Sequence, residues 1–167
     1  MSDQISVDDT VTKARQDCQQ LGVRLTPKRE KVLRVLLNAD QPLSAYDVVD
    51  LFKEQFSENL PAMSAYRILT FLLDNGFVHK LETTNQFISC RHISCDHKHE
   101  PPQFLICDRC NAVKELSIGK QTLAELNSGI EQSGFVLVRK QLELHGLCQA
   151  CQQSGDTKKT SEEEQRP

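Results

Sequence analysis

Apolar residues recur every three to four positions through the first half of the chain, which is the period of an amphipathic helix. A first helix is predicted from Val7 to Leu21. A second helix, Lys28 to Asn38, is predicted after Thr26 as N-cap and Pro27 as the first helical residue. Its expected buried stripe consists of Val32, Leu33, Leu36 and Leu37.

Two further helices are predicted, and each is bounded by a local signal. Ser44 is placed to cap the third helix, and Asp47, three residues later, stands where a capping-box acid belongs. The fourth helix is predicted from about Ala62 to Asp74, after the break at Pro61. Gly76 suits the left-handed conformation that ends a helix.

A β-hairpin is predicted directly after the fourth helix. Its strands are Phe77 to Leu81 and Gln86 to Cys90, and residues 82–85 join them. Helices followed by a hairpin describe a winged helix-turn-helix, which places its last helix in the DNA major groove. A small α+β domain with another use has the same pattern, and the pattern alone does not separate the two.

The second half of the chain predicts a separate, smaller α/β unit. Its predicted strands are Phe104 to Ile106, Ala112 to Leu116 and Phe135 to Leu144, and a helix is predicted from Gln121 to Ser133. The polar segment 92–102 is interpreted as a hinge, and the charged tail 154–167, which lacks apolar residues, as disordered. The predicted fold class is therefore α+β, with a winged-helix domain at 1–91 and a second domain at 103–153.

Charge is unevenly distributed along the chain. The net charge is −3, which by itself argues against nucleic acid, but residues 11–37 carry seven basic and two acidic side chains, a local excess of +5. The basic residues are Lys13, Arg15, Arg24, Lys28, Arg29, Lys31 and Arg34. On charge alone, a solvated helix face explains this segment as well as a DNA-binding surface does.

Composition favours a cytoplasmic protein with reduced thiols. The sequence has no run of 18 apolar residues and no apolar segment near its N-terminus of the kind a signal peptide needs. In the cytoplasm cysteines bind metal more often than they form disulfides.

Two Cys-x-x-Cys pairs carry the strongest chemical signal. Cys107 and Cys110 form the first pair, and Cys148 and Cys151 form the second. Two such turns brought together make a four-sulfur site, the usual form of structural zinc. One pair alone would also fit a thioredoxin-like redox motif, so the second pair favours zinc over redox or disulfide chemistry.

A second group of potential ligands flanks the predicted hinge. It consists of His79 and Cys90 on the hairpin, His97 or His99 in the loop, and Glu115 after the first cysteine pair. Imidazole, thiolate and carboxylate together suit Zn²⁺. The alternative is a surface histidine and a small buried cysteine without metal.

Weaker candidate ligands are Asp108, His92, Cys95 and His145, of which His145 belongs either to a further site or simply to a strand. A zinc hydrolase at the second group is the least supported function. Catalytic zinc usually keeps an open position for water, whereas four ligands would fill the coordination sphere.

Several motifs resemble those of the ferric uptake regulator family. In chain order they are Arg24-Leu25-Thr26-Pro27-Lys28-Arg29, Ser44-Ala45-Tyr46-Asp47, Ala65-Tyr66-Arg67-Ile68-Leu69, Gly76-Phe77-Val78-His79-Lys80 and Ile106-Cys107-Asp108-Arg109-Cys110. Val113-Lys114-Glu115 and His145-Gly146-Leu147-Cys148 are most similar to the family's zinc uptake branch. The iron-sensing branch has a His-His-x-His run where this chain has Pro101-Pro102-Gln103-Phe104.

The resemblance implies a homodimeric, zinc-responsive repressor that binds palindromic operator DNA and controls zinc-uptake genes. It implies two zinc ions per monomer, one structural and one regulatory. The structural ligands would be Cys107, Cys110, Cys148 and Cys151, and the regulatory ligands His79, Cys90, His99 (or His97) and Glu115. The second domain would dimerise, and an iron- or peroxide-responsive regulator of the same family is the alternative.

The resemblance also implies a DNA-binding surface. Its members are Tyr46, Ser64, Tyr66, Arg67, Arg24 and Lys28. An arginine can grip guanine or phosphate with two hydrogen bonds, and a tyrosine can contact phosphate. The competing interpretations are a core aromatic for Tyr66 and a surface ion pair for Arg67.

Overall fold

The computed structural model describes residues 6–90, 93, 102–138 and 141–154. The helices are α1 (Val7–Gln20), α2 (Pro27–Leu37), α3 (Ala45–Phe56), α4 (Ala62–Asp74), α5 (Lys120–Gln132) and α6 (Gln149–Gln153). The strands are β1 (Val78–Leu81), β2 (Gln86–Ser89), β3 (Gln103–Cys107), β4 (Val113–Leu116) and β5 (Leu142–Gly146). Within these ranges no helix is both long and apolar enough to cross a membrane. The predicted α+β fold class is confirmed.

The predicted helix boundaries are confirmed by the caps. The Thr26 hydroxyl accepts the backbone N–H of Arg29, with Pro27 at the first helical position. Ser44 and Asp47 form the reciprocal capping box. Gly76 has φ +75°, the left-handed conformation that glycine adopts at low cost.

A large apolar core joins α1–α4 to one face of the β1–β2 hairpin. Val32, Leu33 and Leu69 are fully buried in it, as predicted from their helical spacing, and Cys18 is buried beside them. Phe87 of β2 also packs into this core. Helix α4 and the hairpin are therefore fixed to each other through shared apolar contacts.

The other face of the hairpin packs on a second sheet. Leu81 and Ile88 form a small apolar cluster with Phe104, Ile106 and Val113. Because successive strand residues point to opposite faces, the hairpin is covered on both sides: by helices on one and by the second sheet on the other.

The second sheet has the strand order β4-β3-β5. β3 is antiparallel to β4 and parallel to β5, with Cys107 opposite Gly146 at the end of the parallel pair. The face away from the hairpin leaves Leu105 38 % and Leu144 45 % exposed. Helix α5 has no buried residue.

The predicted strand from Phe135 to Leu144 is wrong in its first part. β5 begins at Leu142, since its register with β3 starts with the pair Gln103–Leu142. Phe135 and Val138 lie outside the sheet and are 71 % and 96 % exposed. The five-residue helix α6 was not predicted, because so short a segment shows no periodicity. Most of the predicted hinge, and the tail beyond Ser154, lie outside the described residues.

Candidate metal centre and nucleic-acid interface

The sheet topology brings the two cysteine pairs together. β3 ends at Cys107, and the chain leaves the parallel strand β5 to reach Cys148, the N-cap of α6. Parallel neighbours end at the same edge of a sheet, so both Cys-x-x-Cys turns emerge side by side. Asn111 closes the first turn with φ 56°, a left-handed conformation that asparagine tolerates better than most residues.

The four sulfurs have the spacing of a tetrahedral site. The ligand atoms of Cys107, Cys110, Cys148 and Cys151, here called the cysteine cluster, all lie within 4.8 Å of one another. The sulfurs of Cys110 and Cys148 are 3.7 Å apart. Tetrahedral zinc with Zn–S bonds of about 2.3 Å requires sulfurs about 3.8 Å apart. The donor set and its spacing therefore fit Zn²⁺.

The electrostatics of the cluster favour a bound cation over free thiols. Backbone N–H groups of Cys148, Cys110 and Arg109 point at the Cys107 sulfur and lower its pKa to about 6. The hydrogen bond with the Cys148 sulfur, followed by burial, raises the pKa of Cys151 to about 12. Four thiolates this close repel one another, and a divalent cation removes that repulsion.

The cluster is held together without a disulfide bond. None of the six cysteines in the described residues is in a disulfide. The sulfurs of Cys110 and Cys148 are 3.7 Å apart, whereas a disulfide bond is about 2 Å long. Arg109 further ties the two turns together by donating to the Cys151 carbonyl at 2.7 Å.

Two members of the second ligand group lie where the hairpin packs on the second sheet. The His79 ring packs on Phe104, with centroids 5.6 Å apart, and Glu115 is the strand partner of Phe104. A third member, Cys90, continues the hairpin ladder through its N–H to the Phe77 carbonyl at 3.0 Å. Cys90 is buried and belongs to the apolar core of α1–α4 and the hairpin.

The second group is not a closed ligand cluster in the part of the chain that the structure describes. Within those ranges, the cysteine cluster is the group of three or more donors that could hold one ion. His97 and His99 lie outside the described residues, as do His92 and Cys95. The regulatory ligand set stays a prediction.

Two weaker candidates form a pair that the sequence did not reveal. His145 Nδ1 lies 2.7 Å from Asp108 Oδ1. Asp108 follows the first ligand of the cysteine cluster, and His145 occupies β5, so the pair spans the two parallel strand ends. Their sequence separation of 37 residues hid this contact.

The predicted DNA-contacting side chains are accessible. Tyr46 on α3 is 66 % exposed, and Tyr66 on α4 is 38 % exposed, so the core interpretation of Tyr66 is wrong. Arg67, Arg24 and Lys28 are also exposed, and Ser64 is half-buried. Met63, in the first turn of α4 and 66 % exposed, was not predicted as part of this surface; its place beside Ser64 was the available signal.

Much of the basic excess near the N-terminus is neutralised. Four of its seven cations form ion pairs: Lys13–Asp17, Arg15–Glu30, Lys31–Glu58 and Arg34 with Asp8 and Glu30. For these side chains, the solvated helix face is the better interpretation.

Arg29 has a different role from the cations around it. Its guanidinium lies 3.6 Å from the centre of the Phe71 ring on α4 and donates to the Arg24 carbonyl at 2.7 Å. It therefore holds the exposed Arg24 segment against α4.

The family model of the ferric uptake regulator family matches residues 20–163. The chain belongs to the ferric uptake regulator family. It is 40 % identical over 151 residues to the zinc uptake regulation protein of Escherichia coli (strain K12), covering 86 % of this chain and 81 % of that protein. It is 30 % identical over 155 residues to the ferric uptake regulation protein of Synechococcus elongatus, covering 87 % and 97 %.

Solved structures of the family agree with the fold. A zinc uptake regulator complexed with zinc and DNA superposes with a TM-score of 0.78 at 36 % identity, covering 90 % of this chain and 98 % of that one. Holo XcZur superposes with a TM-score of 0.72 at 37 % identity, covering 89 % and 99 %. The relatives named here are regulatory proteins.

Proposed function

We propose that this protein is a cytoplasmic, zinc-responsive transcriptional repressor whose zinc-loaded dimer binds palindromic operator DNA and represses zinc-uptake genes. The observation that carries the proposal is the match, over nine-tenths of the chain, to a zinc uptake regulator solved with zinc and DNA. The tetrahedral spacing of the cysteine cluster and the exposed Tyr46 and Arg67 agree with it.

Two zinc ions per monomer would have separate roles. The cysteine cluster would hold a structural ion that staples β3 and β5 at one edge of a small sheet. The regulatory ion would be held by His79, Cys90, His99 (or His97) and Glu115. Because His79 and Cys90 belong to the hairpin and Glu115 to β4, that ion would link a winged-helix domain at 1–91 to a domain at 103–153 across the hinge.

Zinc would act by selecting one arrangement of the two domains. A ligand shifts an equilibrium between two arrangements only by its differential affinity for them. A full reversal of the populations needs a differential affinity of about 5 kcal/mol, which is about half of the ~10 kcal/mol apparent binding free energy of structural zinc sites.

Dimerisation would use the second domain. Helix α5 buries none of its residues within the chain, and Leu126 on it is 40 % exposed. Phe135 and Val136, just beyond α5, are 71 % and 83 % exposed. An apolar surface of this kind is typical of a protein-protein interface.

Removal of the exchangeable metal tests the proposed function. Mild chelation is expected to remove one of two zinc ions per monomer and to abolish operator binding, while the dimer persists. Zinc at stoichiometric concentration should restore binding. Metal analysis with a gel-shift readout measures both quantities, and restoration by Fe²⁺ but not Zn²⁺ would instead support the iron-responsive alternative.

Arg67 on the recognition helix is expected to carry operator affinity. Arg67→Ala should weaken operator binding by about 1–3 kcal/mol, because a two-pronged contact to guanine or phosphate is lost. Titration of labelled operator at fixed salt and saturating zinc measures this loss. Lys114→Ala, which removes an exposed cation from β4, is the matched control and should leave affinity nearly unchanged. Equal affinities for Arg67→Ala and wild type would contradict the assignment.

A further inference from the structure

The turn that joins β1 to β2 is held by a carboxylate from the second sheet. Glu143 on β5 accepts the backbone N–H groups of Glu82 at 2.8 Å and Thr83 at 3.0 Å. It also accepts the Thr83 hydroxyl at 2.6 Å. One side chain thus binds three donors of a turn that lies 60 residues earlier in the sequence.

The contact belongs to a continuous polar network. Gln141 donates both to Glu143 at 2.8 Å and to the Lys80 carbonyl at 2.8 Å. On the other side of the turn, His145 Nε2 lies 3.2 Å from the Thr83 hydroxyl, and its Nδ1 contacts Asp108. The network therefore runs from the hairpin turn to the residue next to the first ligand of the cysteine cluster.

The Glu143 carboxylate is suited to this role. Partial burial raises its pKa, but the hydrogen bonds from Thr83, Glu82 and Gln141 outweigh burial and lower it overall. The group is therefore charged at neutral pH, and hydrogen bonds to a charged acceptor are about twice as strong as neutral ones.

The contact between Glu143 and the hairpin turn also affects α4, because the hairpin and α4 share one apolar core. Phe87 fixes the hairpin to the same core as Leu69 of α4, so the hairpin and the recognition helix move together. Any group that fixes the turn to the second sheet therefore also fixes the direction in which α4 points relative to that sheet. In a dimer, this direction sets the spacing of the two recognition helices on DNA.

We propose that Glu143 is a positioning residue for operator binding: with Thr83 it forms a clamp that holds the hairpin turn on β5 and stabilises the arrangement of the two domains that binds DNA. This proposal rests on the proposed function. The clamp and the regulatory zinc would both stabilise the same arrangement of the two domains, each through different residues. A clamp that stabilises the DNA-binding arrangement lowers the zinc concentration needed to populate it.

Glu143→Ala tests the clamp with two readouts. The zinc concentration for half-maximal operator binding should rise about fivefold to tenfold, at the lower end of typical coupling between sites. Zinc content per monomer should stay unchanged. Hydrogen exchange at the amides of Glu82 and Thr83 should accelerate, because their acceptor is gone. Glu54→Ala, which removes an exposed carboxylate from α3, should change neither readout.

Thr83→Val is a milder second variant. It keeps the shape of the side chain and both backbone N–H groups but removes the hydroxyl, so the zinc midpoint should rise about twofold to threefold. The effects of the two substitutions should not add, because both side chains form one hydrogen bond. If Glu143→Ala fails to fold, the zinc midpoint of Thr83→Val still decides the question.

The proposal is overturned if both variants bind operator with the wild-type zinc midpoint. It is equally overturned if the amides of Glu82 and Thr83 exchange at the wild-type rate in Glu143→Ala. A wild-type protein that binds no operator at any zinc concentration refutes the proposed function instead. The exchange readout needs no DNA and separates the two failures.

Discussion

Cys107→Ser is expected to remove the structural zinc ion and to unfold the second sheet. Cys107 ends β3, and its sulfur accepts the Cys148 N–H at 3.3 Å, so the lost ligand lies at the junction of both turns. Structural zinc contributes about 10 kcal/mol or more to the free energy of folding. This contribution is larger than the free energy of unfolding expected for a sheet this small, so the sheet should not fold without the ion. The dimer should dissociate with it.

The helical core should survive this change. Val32, Leu33 and Leu69 are buried among α1–α4 and the hairpin, away from the cysteine cluster. We therefore expect most of the helical circular dichroism to remain, while zinc content falls by at least one ion per monomer and analytical ultracentrifugation shows a monomer. Cys18→Ala, which removes a thiol buried in the helical core, is the control and should keep two zinc ions. A Cys107→Ser protein with two zinc ions and an intact dimer would contradict the structural role of the cluster.

Glu115→Gln is expected to abolish zinc-dependent operator binding at physiological zinc and to leave the fold intact. The substitution keeps the shape of the side chain and removes the charge that a zinc ligand supplies. Removing a residue that hydrogen-bonds a metal ligand lowers metal affinity about tenfold to a hundredfold. Removing a ligand itself should lower zinc affinity at least as much. The zinc midpoint for operator binding should therefore rise about a hundredfold.

The readouts separate a sensing defect from a folding defect. Glu115 is half-buried on β4 and is not part of the cysteine cluster, so the structural zinc and the thermal unfolding midpoint should stay near wild type. Glu54→Gln on the exposed surface of α3 is the matched control. An unchanged zinc midpoint in Glu115→Gln would remove Glu115 from the regulatory set.

Local signals in the sequence were sufficient for most secondary structure. Thr26, Ser44 and Gly76 predicted helix ends because a cap is a contact between residues a few positions apart. The strand from Phe135 was predicted wrongly because its apolar residues fit a strand locally. Whether such a segment joins a sheet depends on a distant partner, and the register with β3 reaches only to Leu142.

Charge was the least informative signal in the sequence. Arg15, Lys31 and Arg34 counted as part of a basic surface, but each has a carboxylate partner in the folded chain. Two of those partners, Asp8 and Glu58, lie outside the segment in which the charges were counted.

The sequence by itself determined the donor atoms of the cysteine cluster, because two Cys-x-x-Cys turns supply four sulfur ligands wherever they meet. It also determined the helices and the hairpin, since periodicity and caps are local. Only the tertiary structure decided that parallel strands β3 and β5 deliver the four sulfurs to one point. It alone brought Glu143 to Thr83, because contacts between residues 60 positions apart depend on how the sheets pack and leave no periodic trace in the chain.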